Sequence, residues 1–261
     1  MVTKNVNINE IMNINHESIF EKVFLRREIA LMMFGLFLTI VIPGISLCEE
    51  TSEEECNKLQ WNRTVKKSID PDPESYFAYY RSGWLYKYHG KFAESEEAFR
   101  KAIKINPERY SAYNALGWLY RYQGKFAQSE KLFKKSIELN PKNDSAYYGM
   151  GLLYENQRRP AEAEEAFKKV VEINPKKDSA HYKLGRLYET RGRFSEAEQS
   201  FRKAIELNPK NDAAYYGLGW LYKDQGKFVE SEEAFRKAID LNPKKNSAYK
   251  ELRRLYGDQG I

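Results

Sequence analysis

Cysteine and histidine are almost missing from this chain. Two cysteines, Cys48 and Cys56, and three histidines, His16, His89 and His181, are all that its 261 residues contain. Both cysteines fall in one short acidic stretch, and their spacing matches no zinc pattern. The histidines are scattered, and nowhere do His, Cys and carboxylates recur together at ligand spacing, so no metal site is expected. Strand-like runs are also missing, and with them any glycine-rich phosphate loop that would follow one. In acidic runs such as Glu94, Glu96 and Glu97, the last two precede Arg100 or Lys101 by three or four residues. That is the spacing of weak ion pairs on a solvated helix face rather than of paired catalytic carboxylates. No catalysis and no cofactor are expected. Long uncharged apolar runs are absent except for one, residues 29–48.

What the chain has in abundance is repetition. Gly219 to Pro243 and Gly83 to Pro107 are 25-residue segments that differ at only five positions, and Pro107, Pro141, Pro175, Pro209 and Pro243 follow at intervals of 34 residues. A fixed period of this length marks a stacked repeat architecture. Within one unit, Tyr215, Leu218, Gly219 and Tyr222 lie on one stripe of a helix. Gly226 ends that helix, as a residue free to take positive φ does. A second apolar stripe runs through Phe228, Ala234, Phe235, Ala238, Ile239 and Leu241 and stops before Pro243. Two helices of roughly 13 residues cannot bury such stripes alone and must pack on each other and on their neighbours.

The unit resembles the tetratricopeptide repeat. With place 1 at Tyr76, Tyr110, Asp144, Asp178 and Asp212, place 8 is Gly83, Gly117, Gly151, Gly185 and Gly219. Place 11 is Tyr86, Tyr120, Tyr154, Tyr188 and Tyr222, and place 24 is Phe99, Phe133, Phe167, Phe201 and Phe235. Place 20 is small throughout: Ser95, Ser129, Ala163, Ala197 and Ser231. The resemblance covers residues 72–261 and implies an all-α, right-handed α-solenoid of about five 34-residue helix-turn-helix repeats plus a C-terminal capping helix. Three departures stand out. Ser82 replaces the usual leucine at place 7. Arg158 and Pro160 replace the glycine and phenylalanine of the other repeats, with Pro160 read as the start of its helix. A sixth unit begins with Tyr249, Leu252 and Tyr256 but carries Arg253 at place 8 and Arg254 after it, a charged outer face suited to a cap.

Ahead of the repeats, residues 1–28 form a polar, Asn-rich tail. Residues 29–48 are uncharged, preceded by Lys22, Arg26 and Arg27 and followed by a glutamate-rich connector over 49–71. Twenty apolar residues are long enough to span a bilayer, and the basic flank points to the cytoplasm. The repeats are therefore expected outside it, either periplasmic or secreted, or held at the membrane by an anchor. Three readings of the segment stand together: a signal peptide cleaved after Ser46, an uncleaved signal anchor, and a lipid attached at Cys48. Cys48 and Cys56 either form a local disulfide or remain two thiols. Asn62 and Asn143 head N-glycosylation triplets.

In the resembled family the first helices line a concave, ligand-binding groove. Carried over by place, the groove residues here are Tyr80, Asn114, Tyr148, Tyr182 and Tyr216 at place 5 and Trp84, Trp118, Leu152, Arg186 and Trp220 at place 9. Lys87, Arg121, Lys183 and Lys223 rim it. The architecture does not require tryptophan at place 9, and exposed aromatics mark contact surfaces, although those indoles could equally help pack neighbouring helices. The carboxylate clamp of chaperone-binding relatives is absent, because its places hold mostly Tyr, Trp, Ala, Gly and Ser. The resemblance thus implies a non-catalytic protein–protein interaction scaffold, holding a peptide or partner protein and serving envelope or secretion assembly. The alternatives are a nucleic-acid or polyanion binder using the same groove, and a regulatory arm of a larger enzyme. Residues 72–261 carry 35 Lys and Arg against 27 Asp and Glu, but an extracytoplasmic address argues against nucleic acid.

Overall fold

Glycine and proline divide the chain into short helices of two alternating kinds. The computed structural model describes residues 75–244 and 246–258, all within one compact unit of the chain. The tail, the apolar segment and the connector lie outside the described residues, as do both cysteines. Among the described residues there are eleven helices and no strand. They are α1 (Tyr76–Tyr88), α2 (Phe92–Ile105), α3 (Tyr110–Tyr122), α4 (Phe126–Leu139), α5 (Asp144–Asn156) and α6 (Pro160–Ile173). The series continues with α7 (Asp178–Thr190), α8 (Phe194–Leu207), α9 (Asp212–Asp224), α10 (Phe228–Leu241) and α11 (Asn246–Asp258). Odd and even helices pair within each repeat, and every even helix also touches the odd helix that follows, giving a continuous stack.

The turn inside each repeat follows from one backbone position. Gly90, Gly124, Gly192 and Gly226 hold φ between 70 and 73°, the left-handed region that suits glycine. Arg158 occupies the same position in the third repeat at φ 57°, a strain the other repeats avoid. Pro160 is the first residue of α6, where a missing N–H costs nothing.

The core is a column of five phenylalanines. Phe99, Phe133, Phe167, Phe201 and Phe235 are each fully buried. Each lies against the glycine at place 8 of its own repeat. A Cβ at Gly83, Gly117, Gly151, Gly185 or Gly219 would sit 2.5–2.8 Å from the ring, closer than atoms can approach. Glycine there is a requirement of volume rather than of φ. The small residue at place 20 completes the crossing. Where it is serine it also donates a hydrogen bond to the glycine carbonyl, Ser95 to Gly83 at 2.7 Å, Ser129 to Gly117 at 2.8 Å and Ser231 to Gly219 at 2.7 Å. The alanines at 163 and 197 keep the close approach without that bond.

The last helix behaves as a cap on one side only. Ala248, Glu251 and Leu255 are buried towards α10, whereas Tyr249, Arg253 and Arg254 are exposed. No helix of the described residues is long and apolar enough to cross a membrane. The apolar run at 29–48 was not among them.

Candidate functional site

Places 5 and 9 are one turn apart, so each first helix presents two groove residues in line. Their depth is set by the phenylalanine column. Trp84 stands edge-on to Phe99 and Trp118 edge-on to Phe133, both with centroids 5.7 Å apart. Tyr148 meets Phe167 at 5.5 Å, Tyr182 meets Phe201 at 6.0 Å and Tyr216 meets Phe235 at 5.6 Å. Tyr80 packs on Phe99 at 6.1 Å and on Trp84 at 6.5 Å. All are half-buried, as are Asn114, Leu152 and Trp220, while Arg186 is exposed. The expected choice between groove surface and packing residue is therefore not a choice. Trp84 and Trp118 each press an edge into the core and leave the remainder on the face.

The second and third repeats are joined along this row. Indole Nε1 of Trp118 donates to Ser145 Oγ at 3.1 Å, and Asn114 Nδ2 donates to the same oxygen at 3.2 Å. The Trp118 and Tyr148 rings lie 6.4 Å apart. Ser111, Ser145 and Ser179 all occupy place 2. Their recurrence in the sequence was the available signal, and the reading above did not single them out. Oδ1 of Asn114 is buried and meets no hydrogen-bond donor among the described residues.

Cations edge the row. The Lys87 ammonium lies over the Trp84 ring at 4.6 Å, Arg121 over Trp118 at 5.1 Å and Lys223 over Trp220 at 5.2 Å. In the fourth repeat the arrangement changes. Arg186 replaces the tryptophan and pairs with Glu189 at 3.1 Å, while Lys183 reaches back to Glu155 at 2.7 Å. A cavity of about 160 Å³ opens there between Glu155, Tyr182, Lys183, Arg186, Leu187 and Thr190. Burial raises the Glu189 carboxyl above its ordinary range, Asp224 adds to this and Arg186 opposes it. Burial likewise pushes the Tyr80 hydroxyl up to about 12, so it stays a neutral donor at every physiological pH.

One expectation about the acidic runs needs correction. Glu96 does pair with Arg100 at 2.8 Å, as its spacing predicts. It also accepts a hydrogen bond from Tyr120 of the next repeat at 2.8 Å and meets Lys125 at 3.4 Å. The same bond joins Tyr154 to Glu130 at 3.4 Å, Tyr222 to Glu198 at 3.1 Å and Tyr256 to Glu232 at 2.7 Å. Glutamate at place 21 is thus a joint between repeats and not only part of a solvated face. Among the described residues no group of three or more His, Cys, Asp or Glu is placed to hold a metal ion.

Comparison with known proteins agrees with this geometry. Tetratricopeptide repeat models match residues 76–109, 114–178 and 182–246. No curated protein sequence matches at a significant level. Among solved structures, MamA superposes with a TM-score of 0.56 at 26% identity, covering 67% of this chain and 96% of its own. A tetratricopeptide repeat protein from Parabacteroides merdae gives 0.61 at 26% identity, covering 71% and 73%. YrrB, described as a TPR protein with an unusual peptide-binding site, gives 0.56 at 21% identity over 72% and 97%. The five matched repeats, the phenylalanine column with its glycines, and these structural likenesses place the chain in the tetratricopeptide repeat family of protein–protein interaction scaffolds.

Proposed function

We propose that the face built by α1, α3, α5, α7 and α9 holds an extended peptide segment of a partner protein, and that the chain works as a non-catalytic scaffold. The observation that carries this reading is the set of aromatics at places 5 and 9. Tyr80, Trp84, Trp118, Tyr148, Tyr182, Tyr216 and Trp220 are half-buried and come from all five repeats, and Ser145 ties the second repeat to the third. Rigid aromatics with an anchored edge lose little entropy when a partner covers them. Replacing Tyr148 and Tyr182 together by Ala should abolish capture of the partner by the full-length chain while far-ultraviolet circular dichroism stays helical. Undiminished capture by that variant would exclude the row as the binding surface.

The reading extends to location. The apolar segment 29–48 with its basic leading flank supports repeats that lie outside the cytoplasm, in the service of envelope or secretion assembly. A reporter active only outside the cytoplasm, fused after Asp72, should give signal, and deleting residues 29–45 should remove it. Signal from a cytoplasmic reporter at the same junction would reverse the orientation.

A further inference from the structure

Tryptophan stands at place 9 of the first, second and fifth repeats, and the third and fourth lack it. In the fourth the indole is exchanged for Arg186, and beside that residue opens the cavity of about 160 Å³. Two repeats build its walls. Glu155 of α5 closes one side, and Tyr182, Lys183, Arg186, Leu187 and Thr190 of α7 supply the rest. Pockets for drug-sized molecules begin at about 300 Å³, so this one is scaled to a side chain. Leu187 is buried and Tyr182 rests on Phe201 at 6.0 Å, so the core fixes two of the walls.

The charged groups around the cavity are already matched. Lys183 reaches across the repeat boundary to Glu155 Oε2 at 2.7 Å, and Arg186 Nε pairs with Glu189 at 3.1 Å. Two cations and two carboxylates leave no net charge, but they leave hydrogen-bonding capacity. The Glu155 carboxylate has Oε1 besides the oxygen that Lys183 meets, and the Arg186 guanidinium carries four N–H groups besides Nε–H. The Thr190 hydroxyl donates to the Leu187 carbonyl at 2.9 Å and retains its acceptor capacity. A charged side chain entering here would lose its water and meet only ions that are already paired. An apolar one would strip water from Glu155 and Arg186 and return no hydrogen bond. A primary carboxamide does neither. Its NH2 group can donate to Glu155 while its oxygen accepts from Arg186 or Lys183, and it adds no charge.

We infer that the fourth repeat holds a specificity pocket for a carboxamide side chain, glutamine or asparagine, of the bound peptide. The inference rests on the groove reading above and adds the chemistry of one ligand residue and the repeat on which it sits.

The test uses the full chain and four capped pentapeptides, Phe-Ser-X-Ser-Phe, in which X is glutamine, glutamate, lysine or leucine. Affinity is read by calorimetry at low and at physiological salt. The glutamine peptide should bind about tenfold more tightly than each of the others, and the margin over leucine should survive added salt, because neither side chain is charged. Arg186→Trp restores the residue of the other repeats, fills the cavity and should bring the four peptides to one affinity. Glu155→Gln takes the carboxylate from Lys183 and should make the glutamate peptide the tightest. Circular dichroism establishes that both variants fold. Equal binding of all four peptides by the parent chain would overturn the pocket and leave the groove reading standing. So would a glutamine preference that persists in Arg186→Trp. Tightest binding of any peptide other than glutamine would overturn the carboxamide assignment. Binding of none of them would remove the groove reading itself.

Discussion

Tyr76 and Tyr110 open the first two repeats, whereas Asp144, Asp178 and Asp212 open the next three, and the change alters what holds the start of each repeat. In the later repeats the opening carboxylate accepts from the asparagine that closes the same repeat, Asn174 to Asp144 at 3.0 Å, Asn208 to Asp178 at 2.8 Å and Asn242 to Asp212 at 3.1 Å. In the first repeat Tyr76 stacks on Tyr80 at 5.8 Å, lies under the Arg109 guanidinium at 4.8 Å and shares a hydrogen bond of 2.7 Å with Ser111. A polar clasp has been exchanged for an aromatic one. The groove face differs along the same division, since place 9 is tryptophan in both early repeats but Leu152 and Arg186 in the third and fourth. Beneath both halves the phenylalanine–glycine column is unchanged. The glycine at place 8 and the phenylalanine at place 24, fixed by each other's volume, do not vary between repeats, while positions that need only some satisfied contact do.

The largest effect should show where the halves are alike. Phe133→Ala and Phe167→Ala each empty a fully buried ring site and should each cost about 3–5 kcal/mol. Urea melts of the two variants should agree within about 1 kcal/mol. A wider gap would mean that the column is not equivalent in the two halves.

A smaller effect should separate them. Trp118→Ala removes a ring edge packed on Phe133 and a bond to Ser145, and should cost about 2 kcal/mol. Leu152→Ala, at the same place one repeat on, should cost about 1 kcal/mol. Equal losses would show that the indole's extra contacts contribute nothing to stability. Asp178→Ala takes the acceptor from both Asn208 and Asn211, the latter at 3.0 Å, and should cost about 1–2 kcal/mol. If Asp178→Ala melts like the parent chain, the polar clasp is ornamental.

The smallest effect is a matter of pH. Glu96 in the first repeat and Glu164 in the third both titrate below the ordinary 4.5, although burial works against it in each. The Tyr120 hydroxyl and Lys125 hold Glu96 down, and Lys168 and Arg193 hold Glu164 down. A carboxyl whose folded value is depressed adds stability above 4.5 and loses it as pH falls through the folded value. Glu164, which pairs with Lys168 at 2.6 Å and with Arg193 at 2.9 Å, meets Arg191 as well. Glu164→Gln should therefore flatten the acid limb of a Tm-against-pH curve more than Glu96→Gln does. The opposite ranking would assign the stronger joint to the tyrosine.

Much of the architecture was legible because a helix writes its own period. Gly226, Pro160 and Phe235 act on residues close in sequence, and spacing alone located the turn, the helix start and the buried ring. The joints between repeats were not legible in that way. Tyr120 finds Glu96 at a separation of 24 residues, and nothing in either helix's amphipathic pattern says which neighbouring surface it meets. Only the recurrence of glutamate at 96, 130, 164, 198 and 232 carried that information. For the groove, places 5 and 9 emerged as one row, yet the depth of the indoles depended on Phe99 and Phe133 beneath them. That is a tertiary fact, and it turned a choice between surface and core into a sharing of both.

The contact between glycine and phenylalanine also bears on how such a chain can lengthen. Gly83 and Phe99 belong to one repeat, as do Gly219 and Phe235, so a duplicated 34-residue block would arrive with both members, but Phe133 and Phe201 also press on Gly149 and Gly217 of the repeat that follows, so its neighbour must suit it as well. Arg253 stands where each complete repeat has its glycine, so α11 lacks the close backbone approach that seats a phenylalanine in the other units.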